Sequence, residues 1–442
     1  MEIGSPDPKM LRAQAEQKRQ QGDQLGALAH MIAAQSVEAH NNGTSTSAAM
    51  DLCKIATGYF MMGEDKSAER WYRLALTLDP NAAVAYQNLA AICARTGRTV
   101  ESESYRDRAY SLQRVFIESP SDPIRRLLIL HAGRTSGNVP FDTLLSTGTS
   151  SRIRYAIDFA AVEEDSQLPP FDLVFNAIGD SDVAAPLADR LEYFVNACAK
   201  PLLNPPARVA RTSRDRLPAL LGNLKDVVVA PCVRCQGPFM SLTTLRGILA
   251  NAGIDWPVLV RPAASHGGDR LKRCENIEAL AETLRSSEEV HYLTAFCDSR
   301  GVDGHYRKYR VIFIDREPFP YHLAISSHWM VHYFSADMTA SPGKIEEERR
   351  FLQDSGAALG SRASAAVAAI GRRLDMDYGG IDFAVLQDGR VLVFEANATM
   401  LVHRERHNGP LAHKNPHVQR IVDAFEQLLV RRTAHPGVLN LD

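Results

Sequence analysis

Residues 378–397 constrain this chain more than any other stretch. Tyr378-Gly379-Gly380-Ile381-Asp382-Phe383-Ala384-Val385-Leu386 alternates as a β-strand does, and Val391-Leu392-Val393-Phe394-Glu395-Ala396-Asn397 forms a second apolar run. Between them Gln387-Asp388-Gly389-Arg390 carries an Asp-Gly hairpin turn. Folding the two runs around that turn brings Asp382 and Glu395 near the same end, and Asn397, two residues on, points to the same face. Polar groups closing a buried strand are costly without a ligand or partner. Two carboxylates and an amide oxygen on one face make a hard-oxygen site, suited to a Mg2+ ion that bridges phosphates.

The N-terminal part follows a different rule, an internal repeat. In the window 49–82, Leu52, Ile55, Ala56 and Tyr59 share one helical face, Gly63 sits at a turn, Ala68, Tyr72 and Ala75 form a second face, and Pro80 ends it. Thirty-four residues on, the pattern returns as Tyr86, Leu89, Ala90, Cys93, Gly97, Ser102, Arg106 and Ala109. Forty-one residues back it occurs as Leu11, Ala15, Lys18, Gly22, Ala27, Met31 and Ala34, and the surplus of seven falls in the loop-like stretch 41–47. This period, with small residues where helices cross, resembles the tetratricopeptide repeat. The resemblance implies a concave groove for a peptide or protein partner, or a packing and dimerisation module.

From Pro120 onward, short apolar runs (Arg126-Leu127-Leu128-Ile129-Leu130; 153–159; Phe171-Asp172-Leu173-Val174-Phe175-Asn176) alternate with amphipathic stretches such as 184–199, the pattern of a small parallel α/β unit. Pro201-Leu202-Leu203-Asn204-Pro205-Pro206 adds a short strand with a proline stop. Residues 208–221 read as a helix carrying Arg211, Arg214 and Arg216. Trp256-Pro257-Val258-Leu259-Val260-Arg261-Pro262 is a strand ending in a cation. It runs into Ala263-Ala264-Ser265-His266-Gly267-Gly268-Asp269, a small-residue turn whose N–H groups can close over phosphates.

Together these segments, from about residue 125 to 430, resemble the ATP-grasp family of ligases, which includes D-alanine–D-alanine ligase and glutathione synthetase. The resemblance implies a multidomain chain: all-α tetratricopeptide-like repeats over 1–118, an α/β pre-ATP-grasp domain over 119–206, and two α+β ATP-grasp lobes over 207–442. It implies ATP and Mg2+ as cofactors, with Asp382, Glu395 and Asn397 on the metal. Arg261 matches a phosphate-contacting basic residue that is usually Lys, and Ser265, His266, Gly267 and Gly268 match the lid. Arg214 or Arg216 matches an earlier phosphate-contacting cation. In His291-Tyr292-Leu293-Thr294-Ala295-Phe296-Cys297, Phe296 and Cys297 match the backbone positions that read adenine, with Thr294 where an acidic residue is usual. Arg310, in Tyr306-Arg307-Lys308-Tyr309-Arg310-Val311-Ile312-Phe313, matches the arginine on the transferred phosphoryl group, so Arg310 and Arg261 are the expected catalytic cations.

The implied activity is activation of a small-molecule or peptide carboxylate as an acyl phosphate and its transfer to an amine, with release of ADP and phosphate. A carboxylate–thiol ligase, a kinase, or a nucleotide-dependent adaptor whose repeats bind a protein would use the same ATP residues. His322, His328, His332 and Trp329, and His403 and His407 further on, are candidates for substrate recognition or for a base toward the amine.

Bulk properties fit a globular chain of two to four domains: 442 residues, 45% hydrophobic, net charge -2. No basic field points to nucleic acid and no apolar run reaches a membrane span. Seven scattered cysteines, an odd number, argue against a disulfide framework and for the cytoplasm. Cys232-x-x-Cys235 alone is half a zinc site. Family members often dimerise, so a homodimer is among the expectations.

Overall fold

The computed structural model describes residues 7–43, 47–134, 137–236, 241–265, 267–285, 287–333 and 335–434. The chain divides into two compact units: the first holds residues up to Phe116 together with Ala156–Ala161, the second Ile117–Tyr155 and everything from Val162 on.

Among the described residues the first unit has six helices: α1 (Pro8–Gln20), α2 (Gln24–Asn41), α3 (Ala48–Met61), α4 (Asp65–Leu78), α5 (Ala83–Arg95) and α6 (Thr99–Leu112). They form three helical hairpins, one in each repeat window. The turns inside them carry Gly22, Gly63 and Gly97 at φ of 81°, 79° and 75°, where only glycine sits without strain. The Asp7 and Asp23 carboxylates accept from backbone N–H groups in the first turns of α1 and α2. Small and aromatic residues fill the core together: Ala33, Ala56, Ala68 and Ala75 let helices close in around Leu52, Trp71, Tyr72 and Leu89.

The second unit contains three sheets. After β1 (Val115–Glu118) come β2 (Arg125–His131), β3 (Ser150–Ala156), β4 (Leu173–Asn176), the short helix α7 (Ser181–Ala184), α8 (Ala188–Ala197) and β5 (Leu202–Leu203). β2, β4 and β5 pair in parallel, and β3 lies on the other side of β2. Parallel strands are covered on both faces, so their burial is near-complete: Leu127 through Leu130 and Leu173 through Phe175 are all 0% exposed.

Next come α9 (Pro206–Ala210), α10 (Leu217–Leu221), β6 (Val227–Val229), β7 (Cys232–Gln236), α11 (Leu242–Asn251), β8 (Val258–Pro262), β9 (Lys272–Cys274), α12 (Ile277–Leu284) and β10 (Val290–Ala295). β7, β10, β8 and β9 form an antiparallel sheet in that order. The last sheet uses β11 (Tyr306–Ile314), β12 (Glu317–Ser326), β13 (Tyr378–Val385) and β14 (Val391–Asn397) in the order β12-β11-β13-β14-β6. Helices α13 (Pro342–Gln353), α14 (Ser355–Leu374) and α15 (Asn415–Ala434) pack on it.

One expectation changes. Residues 208–221 are two short helices, not one, and 211–216 lie in the break, so Arg211, Arg214 and Arg216 do not share a helical face. Pro218 cannot donate a backbone hydrogen bond, so the second helix restarts there.

β13 is anchored by Asn204, which is fully buried at φ 53°. Its side-chain oxygen accepts from Tyr378 N (2.9 Å) and Asp377 N (3.1 Å), and its Nδ2 donates to Tyr378 O (2.8 Å). The side chain thus acts as one residue of an extra strand, and Asn tolerates this backbone region better than most side chains. Asn204→Ala would leave these buried groups unpaired, at about 1–3 kcal/mol per group. The expected outcome is a melting temperature lower by about 5 °C or more, with Asn204→Asp intermediate, as read by circular dichroism.

Candidate functional site

The third sheet builds the site through its irregularities. From the hairpin turn, Val385 pairs with Val391, Ala384 with Leu392 and Phe383 with Val393. A bulge at Phe394 then shifts the register, so Asp382 lies opposite Glu395 instead. Without it Glu395 would pair with Ile381 and face the other side of the sheet. β11 and β12 are also irregular at this level, between Arg310 and Val311, and Arg310 pairs with Asp382 on one side and His322 on the other. His322, Arg310, Asp382 and Glu395 therefore form one row across four strands.

Asp382 is 1% exposed. Arg310 grips it with two bonds, Nε to Oδ1 at 2.6 Å and a terminal nitrogen to Oδ2 at 2.8 Å, and Lys308 Nζ lies 3.0 Å from Oδ2. Burial works to raise the Asp382 carboxyl, but Arg310 and Lys308 hold it well below the usual carboxylate range. Glu395 is likewise pushed up by burial and pulled down further by Arg214, with which it is paired, while Asp382 opposes that pull.

These groups face a cavity of about 220 Å³. At one end Arg214, Arg261, Lys308 and Arg310 stand against Asp382 and Glu395, with Gly267, Gly268 and His332 beside them. At the other end the walls are Leu217, Leu259, Thr294, Ala295, Phe296, Cys297 and Leu392. Four cations against two carboxylates leave two positive charges uncompensated among the lining side chains. Arg261 registers this: burial first and Arg214 second push it down to about 10, against the pull of Glu395, Asp180 and Asp182. Its Nε donates to Ser265 Oγ (3.2 Å), a terminal nitrogen donates to Ser265 O, and Ser265 Oγ donates to Pro262 O (2.7 Å), which folds the loop back onto the strand end.

The structure therefore gathers Arg214, Arg261, Gly267, Gly268, Phe296, Cys297, Arg310, Asp382 and Glu395 around one cavity. Three predicted residues are placed elsewhere. Arg216 donates to Ala210 O in the break between α9 and α10. Ser265 sits behind the cavity wall on Arg261. Asn397 turns its Oδ1 to Thr399, accepting from its N (2.9 Å) and Oγ1 (3.0 Å). His266 lies outside the described residues. His328 and His332 do not sit on a helix, since 327–333 is irregular.

Sequence reasoning missed Lys308, although it precedes Arg310 by one strand period and so shares its face. It also missed Asp182, whose carboxylate accepts from Tyr292 Oη (2.7 Å) and from Ala264 N (3.0 Å) in the glycine-rich loop. Met330 and Val331 had no assigned place; with Trp329, a substrate-recognition candidate, they line the cavity, and Met330 lies against Gly268.

A divalent cation fits the donor set in part. Asp382 and Glu395 offer adjoining carboxylates at the charged end, whereas the Asn397 oxygen is engaged by Thr399. Among the described residues no group of three or more His, Cys, Asp or Glu side chains is placed to hold a metal ion.

No family model matches the chain, and no curated protein matches it. Among solved structures the chain is similar to the D-cycloserine synthetase DcsG (16% identity, TM-score 0.41), with 69% of this chain and 99% of that one covered. It is also similar to the VanG D-Ala:D-Ser ligase from Enterococcus faecalis (14%, 0.42, 69% and 99%) and to a D-alanine–D-alanine ligase from Bacillus anthracis complexed with ATP (13%, 0.42, 72% and 100%). Among the described residues no helix is long and apolar enough to cross a membrane.

The buried carboxylate sets a pH dependence. A folded pKa depressed below the unfolded value of about 3.9 adds stability at neutral pH that is lost as acid protonates the group. The stability advantage of the wild type over Asp382→Asn is expected to be largest near pH 7 and to shrink below about pH 4. Urea denaturation from pH 7 to pH 3 measures it, and an advantage that grows toward acid contradicts the assignment.

Proposed function

We propose that the second unit is an ATP-dependent, ADP-forming ligase of ATP-grasp type that joins a carboxylate to an amine. The observation that carries this is the cavity's division. Part of the lining is apolar: Leu217, Leu259, Ala295, Phe296 and Leu392. The other part has an excess of two positive charges, with glycines at positive φ (Gly267 63°, Gly268 79°) on its rim. A nucleoside polyphosphate matches both halves.

At the apolar end, Phe296 N is bonded to Pro257 O (2.9 Å) and Ala295 N to Pro231 O (3.0 Å). The Phe296 carbonyl and Cys297 N–H come next along this edge and are the groups we assign to the base. Arg261 and Arg214 bind the inner phosphates. Arg310 and Lys308 stabilise charge on the terminal one. Asp382 and Glu395 would hold a Mg2+ ion, which would neutralise phosphate charge, and Asn397 would join them on release from Thr399.

In the first step a carboxylate oxygen attacks the γ-phosphorus, and the bond to the β–γ bridging oxygen breaks with its electron pair leaving on ADP. The amine then adds to the acyl carbon and phosphate departs. The chain's part is to orient, neutralise and exclude water, since an acyl phosphate hydrolyses readily. The glycine-rich loop, tied to Asp182 and Arg261, is the element placed to do so.

We assign the helical hairpins to a tetratricopeptide-like module over 1–118 that binds a peptide or protein partner, the α/β segment 119–206 to a pre-ATP-grasp domain, and 207–442 to the two lobes.

The test is ADP release from Mg-ATP with hydroxylamine across amino acids, small carboxylates and peptides. One acid class should give ADP and a hydroxamate, with Glu395→Ala slowed by roughly 100-fold or more. ADP release that needs no acid and yields no hydroxamate would sink the ligase reading.

A further inference from the structure

Building on the nucleotide reading above, we propose that His332 is a catalytic residue that donates a hydrogen bond to the terminal phosphoryl group, from the wall opposite Arg310 and Lys308.

Three observations place it there. First, His332 lines the cavity, and its electrostatic neighbours are Lys308, Arg310, Asp382 and Glu395, all members of the charged end. Secondly, it stands against the glycine-rich loop: a β-carbon on Gly267 would come within 3.3 Å of His332 Nε2. The imidazole thus lines the cavity beside the loop and within the electrostatic reach of the charged groups, next to where the end of a polyphosphate lies if its base sits by Phe296. Thirdly, the segment is held rigidly. The His332 carbonyl accepts from Ala336 N (2.8 Å), Ser335 N (3.1 Å) and Ser335 Oγ (3.2 Å). The next residue, Tyr333, stacks on His322 at 4.5 Å and 11° and donates to the fully buried Glu348 carboxylate, 3.1 and 3.2 Å from its two oxygens. Lys414 Nζ lies 4.3 Å from the centre of the Tyr333 ring. These contacts anchor the main chain that carries the imidazole, and an anchored donor suits transition-state stabilisation.

Burial, then Lys308 and Arg310, lower the imidazole against the pull of Asp382 and Glu395, which favours the neutral ring with its one N–H. A neutral N–H can serve a phosphoryl oxygen without adding a fifth positive charge to the cavity.

The contact belongs to the terminal phosphoryl alone, which gives a test that needs no knowledge of the acid or the amine. Affinities for Mg-ADP and for the non-hydrolysable Mg-AMPPNP are measured by calorimetry on the full chain. In His332→Ala, Mg-ADP should bind within about twofold of wild type, while Mg-AMPPNP weakens by roughly 10- to 100-fold, the worth of one hydrogen bond to a charged group. His332→Gln, whose amide N–H reaches a similar place, should recover part of the loss. Equal weakening of both nucleotides, or of neither, overturns the assignment while leaving the nucleotide reading intact. Failure of the wild type to bind either nucleotide overturns both.

Discussion

The site depends on a buried ion cluster whose members come from separate strands. Asp382 could not remain charged at 1% exposure without Arg310 and Lys308. Removing two ions from water costs several kcal/mol each, recovered only when geometry is good and every oxygen is used. Here Arg310 takes both oxygens of Asp382 and Lys308 adds a third contact. The arrangement holds only if β11, β13 and β14 keep their registers, because a slip of one residue would turn each charge to the other face of the sheet. Asn204 is therefore more than packing. By pairing with Tyr378 it fixes the start of the strand that carries Asp382 four residues later.

The hairpin was legible because it breaks its own pattern. Asp382 and Glu395 interrupt apolar runs on either side of an Asp-Gly turn, so period and turn type bring them to the same end of the hairpin, though not to the same face. The bulge at Phe394 was not legible, since no residue type marks it, yet it puts Glu395 on Asp382's face. Asn397 shows the opposite limit. Alternation gives the direction of its Cα–Cβ bond, but the choice of Thr399 as its partner is made by the turn that follows. The helical hairpins were readable from their period and three turn glycines. The separation of Arg214 from a helix was not, because 208–221 has helical composition up to Pro218. Lys308 and the Trp329 wall belong to tertiary structure, and sequence patterns place residues along an element more surely than across a cavity.

Arg261 shows how one departure from an expected residue type changes the physics. A lysine there would be a compact point charge on a flexible stem. Arginine presents a planar fork that can serve two acceptors at once. In the ligand-free chain that fork is spent on Ser265, with Nε on the hydroxyl and a terminal nitrogen on the carbonyl. The same guanidinium is pushed down by burial and by its neighbour Arg214. A polyanion would relieve the repulsion between the two and compete with Ser265 for the fork. Binding and the position of the glycine-rich loop are thereby linked through one side chain, as a lid requires.

The opposing wall completes this logic. Gly267 and Gly268 carry no side chains, and His332 Nε2 and the Met330 sulfur would lie 3.3 and 3.5 Å from the β-carbons they lack. A β-carbon on Gly267 would crowd the His332 ring, and both glycines already have φ values that other residues adopt only with strain. The two surfaces are matched because one is bare backbone. The donors that meet a phosphate from this side are then loop N–H groups and a ring nitrogen, both neutral. The charged donors come from several elements: Lys308 and Arg310 stand on β11 beside Asp382 and Glu395, Arg214 lies in the break between α9 and α10, and Arg261 is on β8, the strand that leads into the loop. A polyphosphate would thus meet charged donors from both sheets, and the excess of two positive charges among the lining side chains is what it would neutralise.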